Sequence, residues 1–336
     1  MNRRALSPLT LLLIFGLPCI VLAADKSPST TDPAKADPDF AIQGEYTGKV
    51  QGKDGEKTLA VQVIALGGGK FHAVGYTGGL PGDGWDGKEP EEVDSATADG
   101  AVTFKGKHAA GAIKDGVMTV TDLGDKKIGE LKRVVRQSPT LGEKPPKGAI
   151  VLFDGKSTDG WVSSKGKNVD AKMTPEGLLM QGANTRKLFG KHRLHIEFML
   201  PYMPTARGQA RGNSGAYLQG RYEVQMLDSF GLKGLDNECG GIYKISKPKV
   251  NMCFPPLSWQ TYDIDFTPAE FQAHGKKTKN ARITVRHNGA LIHENLELPK
   301  FTAAAPNATD DAQPGFLHLQ DHGNDVRYRN IWAVEE

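Results

Sequence analysis

Several kinds of machinery are missing from this chain. Its nine histidines show neither a His-Glu-x-x-His motif nor a paired-histidine spacing, so a zinc enzyme is not signalled. No Gly-x-Ser-x-Gly nucleophile elbow occurs, and no Ser-His-Asp set assembles with any specificity. Aromatic residues make up only 7% and long helical periodicities are absent, which disfavours a helical bundle. A formal charge of +3 over 336 residues gives no reason to invoke nucleic acid. Cysteine is scarce, at three residues, and beyond the N-terminal segment no apolar run is long enough to span a bilayer.

Glycine (40) and proline (20) are plentiful, and they separate short runs rich in Val, Thr and aromatics, the signature of an all-β protein. Met1–Ala24 has a charged start at Arg3 and Arg4, an apolar run from Leu9 to Leu22 and small residues at its end. This predicts a signal peptide and an exported, periplasmic or extracellular protein, with no membrane span after processing. Processing removes Arg3, Arg4 and Cys19. It leaves Cys239 and Cys253, which an oxidising compartment can join as a disulfide; two buried thiols are the alternative.

Asp25–Asp39, with three prolines and no apolar period, reads as a disordered leader. Residues 40–137 then carry strand-like runs at Glu45–Val50, Thr58–Leu66, Lys70–Tyr76, Ala101–Lys105, Val117–Thr121 and Ile128–Val134. Gly and Asp turns between them predict a small antiparallel β-meander or barrel. Its long Gly75–Pro90 loop carries Trp85 near the tip, either as a plain hairpin connection or as a lid that offers Trp85 for ligand stacking. The loop lacks the Gly-Lys-Ser/Thr ending and the following helix of a nucleotide cradle.

Ser138–Gly148 is Pro-rich and predicts a stiff, extended linker. Residues 149–336 follow, with about a dozen antiparallel strands and long loops, a pattern that favours a two-sheet jelly-roll β-sandwich. Alternation along the strands separates apolar from polar side chains. His195/Glu197, Tyr217/Gln219, Glu223/Gln225 and His318/Gln320 form the polar face of four strands. Rows of His, Glu, Gln and Tyr, with almost no Lys or Thr, suit a groove for a hydroxyl-rich ligand; a plain solvent face is the alternative. Glu197 and Glu223 read as an acid/base pair across neighbouring strands, although Gln225 stands where a tight pair of catalytic carboxylates wants a second acid. Asp228, Asp236 and Glu238 can be a solvated acidic loop or, with loop carbonyls, a calcium site; no other cofactor is signalled.

The motifs Phe153-Asp154-Gly155, Asn213-Ser214-Gly215, Tyr222-Glu223-Val224-Gln225, Trp259-Gln260-Thr261-Tyr262, Leu319-Gln320-Asp321-His322-Gly323 and Arg329-Asn330-Ile331-Trp332 occur in this order. With them, residues 149–336 resemble the 3-keto-disaccharide hydrolase family. The resemblance implies a concanavalin-A-like sandwich and action on sugars oxidised at C3. Such a ketone acidifies the C2 proton, so a base removes it, the C1 substituent leaves by β-elimination, and water adds back. By motif position the resemblance makes Glu223 the base or key carboxylate. Asn213, Gln219, Gln225 and Arg329 would orient hydroxyls or the ketone, and His322 would donate a proton or stabilise the enolate. Tyr217, Asp228, His318, Gln320 and Trp85 complete the expected saccharide contacts. A non-catalytic, lectin-like glycan binder on the same sandwich is the rival reading. The sequence does not set the oligomeric state.

Overall fold

The computed structural model describes residues 28–166 and 169–336, so the expected signal peptide lies outside the described residues. The chain is nearly all β. Eight antiparallel strands close a barrel in sequence order. They are β1 (Gly44–Gly52), β2 (Gly55–Gly67), β3 (Lys70–Thr77), β4 (Glu91–Ala98), β5 (Ala101–Lys105), β6 (Ala110–Lys114), β7 (Val117–Thr121) and β8 (Lys127–Val134). The interior is built by alternation: Tyr46, Val61, Val63, Phe71, Val102, Ile113 and Leu131 all point inward and are buried.

The second unit is a sandwich of two sheets. Its smaller sheet has the order β10 (Trp161–Ser163), β12 (Ala183–Phe189), β21 (Gly315–Leu319), β14 (Ser214–Leu218) and β15 (Tyr222–Met226). The larger runs β11 (Leu179–Met180), β22 (Arg327–Glu335), β13 (His192–Met199), β16 (Trp259–Thr267), β19 (Ala281–His287) and β20 (Ala290–Leu298), with β9 (Ile150–Phe153) paired to β22. A two-stranded ribbon, β17 (Glu270–Phe271) and β18 (Lys277–Lys279), stands apart. Inward residues of the two sheets, among them Leu194, Ile196, Phe198, Ala216, Leu218, Val224, Ile264, Leu319 and Ile331, share one core.

The leader and the linker differ from expectation. Within the described part of the leader, which starts at Pro28, the chain is ordered. Thr30 exchanges backbone hydrogen bonds with Tyr202 (3.1 and 2.9 Å), and the Tyr202 hydroxyl donates to Asp37 (2.7 Å). A short helix at Asp39–Ile42 then helps cap the barrel with Phe40 and Ile42. Composition does not reveal this, because the partner that orders the segment lies in the other unit. The linker is a docked strap rather than a spacer. Thr140 donates to Asp263 (2.7 Å), the Gly142 amide donates to Glu197 (2.6 Å), and Ser138 bonds Thr261 (2.6 Å).

Barrel and sandwich join through a buried seam. Arg136 clasps the fully buried Glu45 (Nε–Oε2 2.7 Å), donates to the Pro81 carbonyl and lies 5.0 Å over the Phe254 ring. Phe230 of the sandwich packs with Ile64, Val74 and Tyr76 of the barrel. Gly231 sits so close to the barrel that an added Cβ would come 2.3 Å from Ile64. Trp85 belongs to this seam: it packs edge-on against Tyr76 and donates to the Lys88 carbonyl.

Candidate functional site

The smaller sheet gathers three of the four polar rows. β14 lies between β21 and β15, with Tyr217 opposite His318 on one side and opposite Glu223 on the other. Because residues two apart share a face, Gly215, Tyr217, Glu223, Gln225, His318 and Gln320 all look out of one side of the sheet, away from the core. The absent side chain of Gly215 makes room for the key carboxyl: a Cβ there would lie 2.2 Å from Glu223 Oε1.

Glu223 is 2% exposed, and its side chain accepts from the Tyr217 hydroxyl. Burial dominates over that bond and pushes its carboxyl up to about 8. Burial raises the Tyr217 phenol as well, and the neighbouring Glu223 adds to the shift, so the hydroxyl stays protonated. Gln320 Nε2 donates to this hydroxyl (3.1 Å) and fixes its position. His318 Nδ1 is 2.6 Å from Asn184 Oδ1, and burial lowers its imidazole to about 4, so the ring is neutral. Asn213 donates to the Gln209 carbonyl (2.8 Å), and Gln225 donates to Gln209 Oε1 (3.2 Å).

Two acceptors here lack partners. Asn213 Oδ1 and Gln320 Oε1 are buried with no hydrogen bond among the described residues. Unpaired buried acceptors are costly, about 1–3 kcal/mol each, and a sugar offers hydroxyl donors that suit them. His322 stands exposed on the turn that follows β21. That turn is pinned beside Gly215 and Asn213: the Gln320 amide bonds the Gly215 carbonyl (3.0 Å), and the Asn213 amide bonds Asn324 (2.7 Å).

The structure places the remaining expected residues elsewhere. Glu197 lies in the larger sheet, so it is not the cross-strand partner of Glu223. Its carboxylate receives Gly142, Arg329 (2.7 Å) and Asn330 (2.8 Å) under the strap. Arg329 is spent on this bond and on the Trp259 ring, 4.0 Å away, and does not line the groove. Gln219 turns at the sheet end with φ 55°, donating to Phe189 and accepting from Arg221, a structural role. Asp228 forms a buried ion pair with Arg211 (2.6 Å). Glu238 accepts its own loop amides at Gly234 and Leu235, which closes the acidic loop on itself.

Of the two readings of the cysteine pair, the structure carries the reduced one. Cys239 and Cys253 are buried free thiols. The two thiols lie against each other; Cys239 also meets the Tyr262 hydroxyl (3.3 Å), and Cys253 bonds the Leu227 and Phe254 carbonyls (3.5 Å each).

A cluster of possible cation ligands sits under the strap, where Glu143, His195 and Asp263 each bring one ligand atom within 4.8 Å of the others. Burial opposes the charge on His195, but its bonds to Asp263 (2.7 Å) and Glu197 (3.7 Å) outweigh burial and raise it to about 9.

Gln209, Asn184 and Tyr243 complete the groove, and no sequence motif marks them. Tyr243 is brought in by its backbone amide, which bonds the Glu223 carbonyl (3.3 Å). Gln209 comes from the long loop before β14, and only the fold shows that this loop bends back over the sheet.

Comparison with known proteins agrees with this geometry. No curated protein matches the chain. One solved structure, from Parabacteroides distasonis ATCC 8503 and described as a candidate glycosyl hydrolase, is 32% identical and covers 56% of this chain and 84% of its own, with a TM-score of 0.52. A second candidate glycosyl hydrolase from the same organism is 18% identical over 56% of this chain and 94% of its own, with a TM-score of 0.43. Residues 148–334 match the 3-keto-alpha-glucoside-1,2-lyase-like domain, which is the sandwich with its groove. The chain belongs to that family, and its sandwich is a glycoside-hydrolase-like domain.

Proposed function

We propose that the groove of the smaller sheet cleaves glycosides already oxidised at C3, using Glu223 as the base. The observation that carries this reading is a single carboxyl buried beside Gly215 and Tyr217, which burial pushes up to about 8, with no second carboxylate on that sheet face among the described residues. Ordinary glycoside hydrolysis uses two carboxyl groups about 5–10 Å apart. Removing a proton next to a ketone needs one base with a pKa near the working pH. The lyase in the family name fits the elimination half of the reaction.

In this scheme Glu223 takes the C2 proton and the electron pair moves to form the C3 enolate. The enolate collapses, C1 and C2 become doubly bonded, and the C1–oxygen bond breaks. The leaving oxygen takes a proton, for which exposed His322 on the adjoining turn is the assigned donor. Water then adds its oxygen to C1 and its proton to C2, and the net change is hydrolysis. Tyr217 stays protonated and steadies the Glu223 carboxylate, while Asn213 Oδ1 and Gln320 Oε1 receive sugar hydroxyls. The N-terminal pattern assigns the enzyme to the exported class, which the mass of the mature N-terminus checks.

The test is turnover of a small panel of 3-keto-glycosides, 3-keto-trehalose and 3-keto-lactose among them. Wild-type protein should release reducing sugar, Glu223→Gln should lose about a hundredfold or more in kcat, and His322→Ala should slow substrates with poor leaving groups most. Full turnover by both folded variants rejects the assignment. Binding of unoxidised glycans with no product from any keto-glycoside supports the lectin-like reading instead.

A further inference from the structure

The barrel contains a cavity that the chemistry of the sandwich does not use. It measures about 640 Å³, within the range of roughly 300–1,000 Å³ typical of small-molecule sites. An eight-stranded barrel is just wide enough either to be filled by side chains or to hold one small ligand. Here the two ends differ. One end is stoppered by Phe71, Tyr46, Phe40, Ile42 and Tyr202. Towards the other end the wall residues become small, with Ala73, Gly75, Ala110 and Gly111 lining open space.

The wall is also parted at one place. β4 pairs with β5 only at Thr97–Val102 and Ala98–Ala101, whereas β4 pairs with β3 over six positions. Beyond the hairpin, side chains bridge the gap: Ser95 Oγ donates to the Thr103 carbonyl (2.7 Å), and Glu91 accepts the Lys107 amide. The cavity lies behind this parting, walled by Leu59, Val61, Val93, Phe104, Met118 and Val120.

The lining fixes the class of occupant. The buried residues of the wall, Val61, Ala73, Phe104, Gly111, Met118 and Val120, are all apolar, so an ion placed against them would be desolvated without a partner. At the rim Glu89 meets Lys233 (3.7 Å) and Glu92 meets His72 (3.6 Å), whereas Glu91 has no ion-pair partner among the described residues; its carboxylate repels a carboxylate tail while offering an acceptor to a hydroxyl. We infer that the barrel is a binding cup for an uncharged, largely apolar small molecule whose hydroxyl-bearing end sits at the Glu91–Lys107 rim. The inference is independent of keto-sugar cleavage, because none of the cup's residues belongs to the groove.

Fluorescence titration of the full chain with the uncharged probe N-phenyl-1-naphthylamine tests it. The expected result is saturable binding at one site per chain, with decanol displacing the probe and decanoate displacing it far less. Ala73→Phe and Gly75→Leu each fill the cavity and should weaken probe binding by at least about tenfold. Neither position has a left-handed backbone, and Gly75 lies near the mouth, where an added Cβ stays 3.6 Å from Glu91 O, so at least this variant keeps the barrel intact. Unchanged melting temperature and turnover identify a folded variant. Glu223→Gln, outside the barrel, should bind the probe as wild type does. Non-saturable binding, equal displacement by decanoate, or undiminished binding in folded Gly75→Leu would overturn the proposal.

Discussion

At the scale of single residues, Gly215 and Glu223 have to be read together. The glycine has ordinary strand geometry, so it is required for space and not for backbone freedom. Gly215→Ala should therefore push the Glu223 carboxyl out of place while leaving the sheet paired. Turnover should fall to about the level of Glu223→Gln, with a melting temperature within a few degrees of wild type. The elevated carboxyl also has a thermodynamic signature. Folded Glu223 holds its proton up to about 8, while the unfolded chain releases it near 4.5. Between those values the folded state binds more protons, so this group makes stability fall as pH rises. Glu223→Gln removes that slope and should be more stable than wild type at pH 9, by up to a few kcal/mol. Denaturant midpoints at pH 5 and pH 9 measure the difference; a wild-type slope that survives in the variant would show the carboxyl to be ordinary.

At the scale of elements, the strap on the larger sheet explains a polar row that alternation alone assigns to the groove. His195 and Glu197 have the same pattern as Glu223 and Gln225, and period two cannot say which sheet a strand joins. What distinguishes them is a cover of ten or so residues from elsewhere in the chain, bonded through Asp263, Thr261 and Glu197. Glu91–Ala98 is illegible for a related reason: its EEVDSATA sequence has one apolar inward residue, because it borders the cavity and solvent. Ala183–Phe189 escapes a sequence reading because the consecutive polar residues Arg186 and Lys187, at a register shift, break its alternation, while Asn184 turns into the site. By contrast, the Tyr217, Glu223 and His318 rows can be read directly, since each is a clean alternation next to a tight turn.

The His195 cluster supplies a prediction at this scale. Its raised pKa stabilises the fold fully below about 6.5, and that contribution is lost as pH rises through about 9. His195→Gln leaves Asp263 without its cation and Glu197 with Arg329 alone, and should cost about 3 kcal/mol at pH 6. Amide exchange should rise first along 138–143. Equal exchange in variant and wild type would mean that the strap is held by its backbone bonds alone.

For the whole molecule, two units of different architecture share one seam. Arg136 is its most exacting contact, since Glu45 is 1% exposed and would be left as a buried unpaired charge. Arg136→Ala should cost about 3–5 kcal/mol and split a single calorimetric transition into two, with the barrel melting first. A single, merely lowered transition would show that the apolar seam around Phe230 suffices. The two-part β architecture is legible from the turn spacing, and the sandwich from its motifs. The seam is not, because it joins residues far apart in the chain, such as Arg136 with the Pro81 carbonyl, 55 positions away, and Arg207 with the Leu66 carbonyl, 141 positions away.

Tyr202 gives this arrangement a temporal meaning. The barrel strands end at Val134, yet one of the side chains that closes the barrel floor is Tyr202, which also holds the segment at Thr30. During synthesis the eight strands emerge almost seventy residues before their stopper. The nascent barrel must wait with an open apolar base until the sandwich begins to appear. A gene cut at the boundary between the two units would leave that waiting state permanent, and the separated barrel should be recovered mainly as aggregate, whereas barrel and sandwich made as one chain should not.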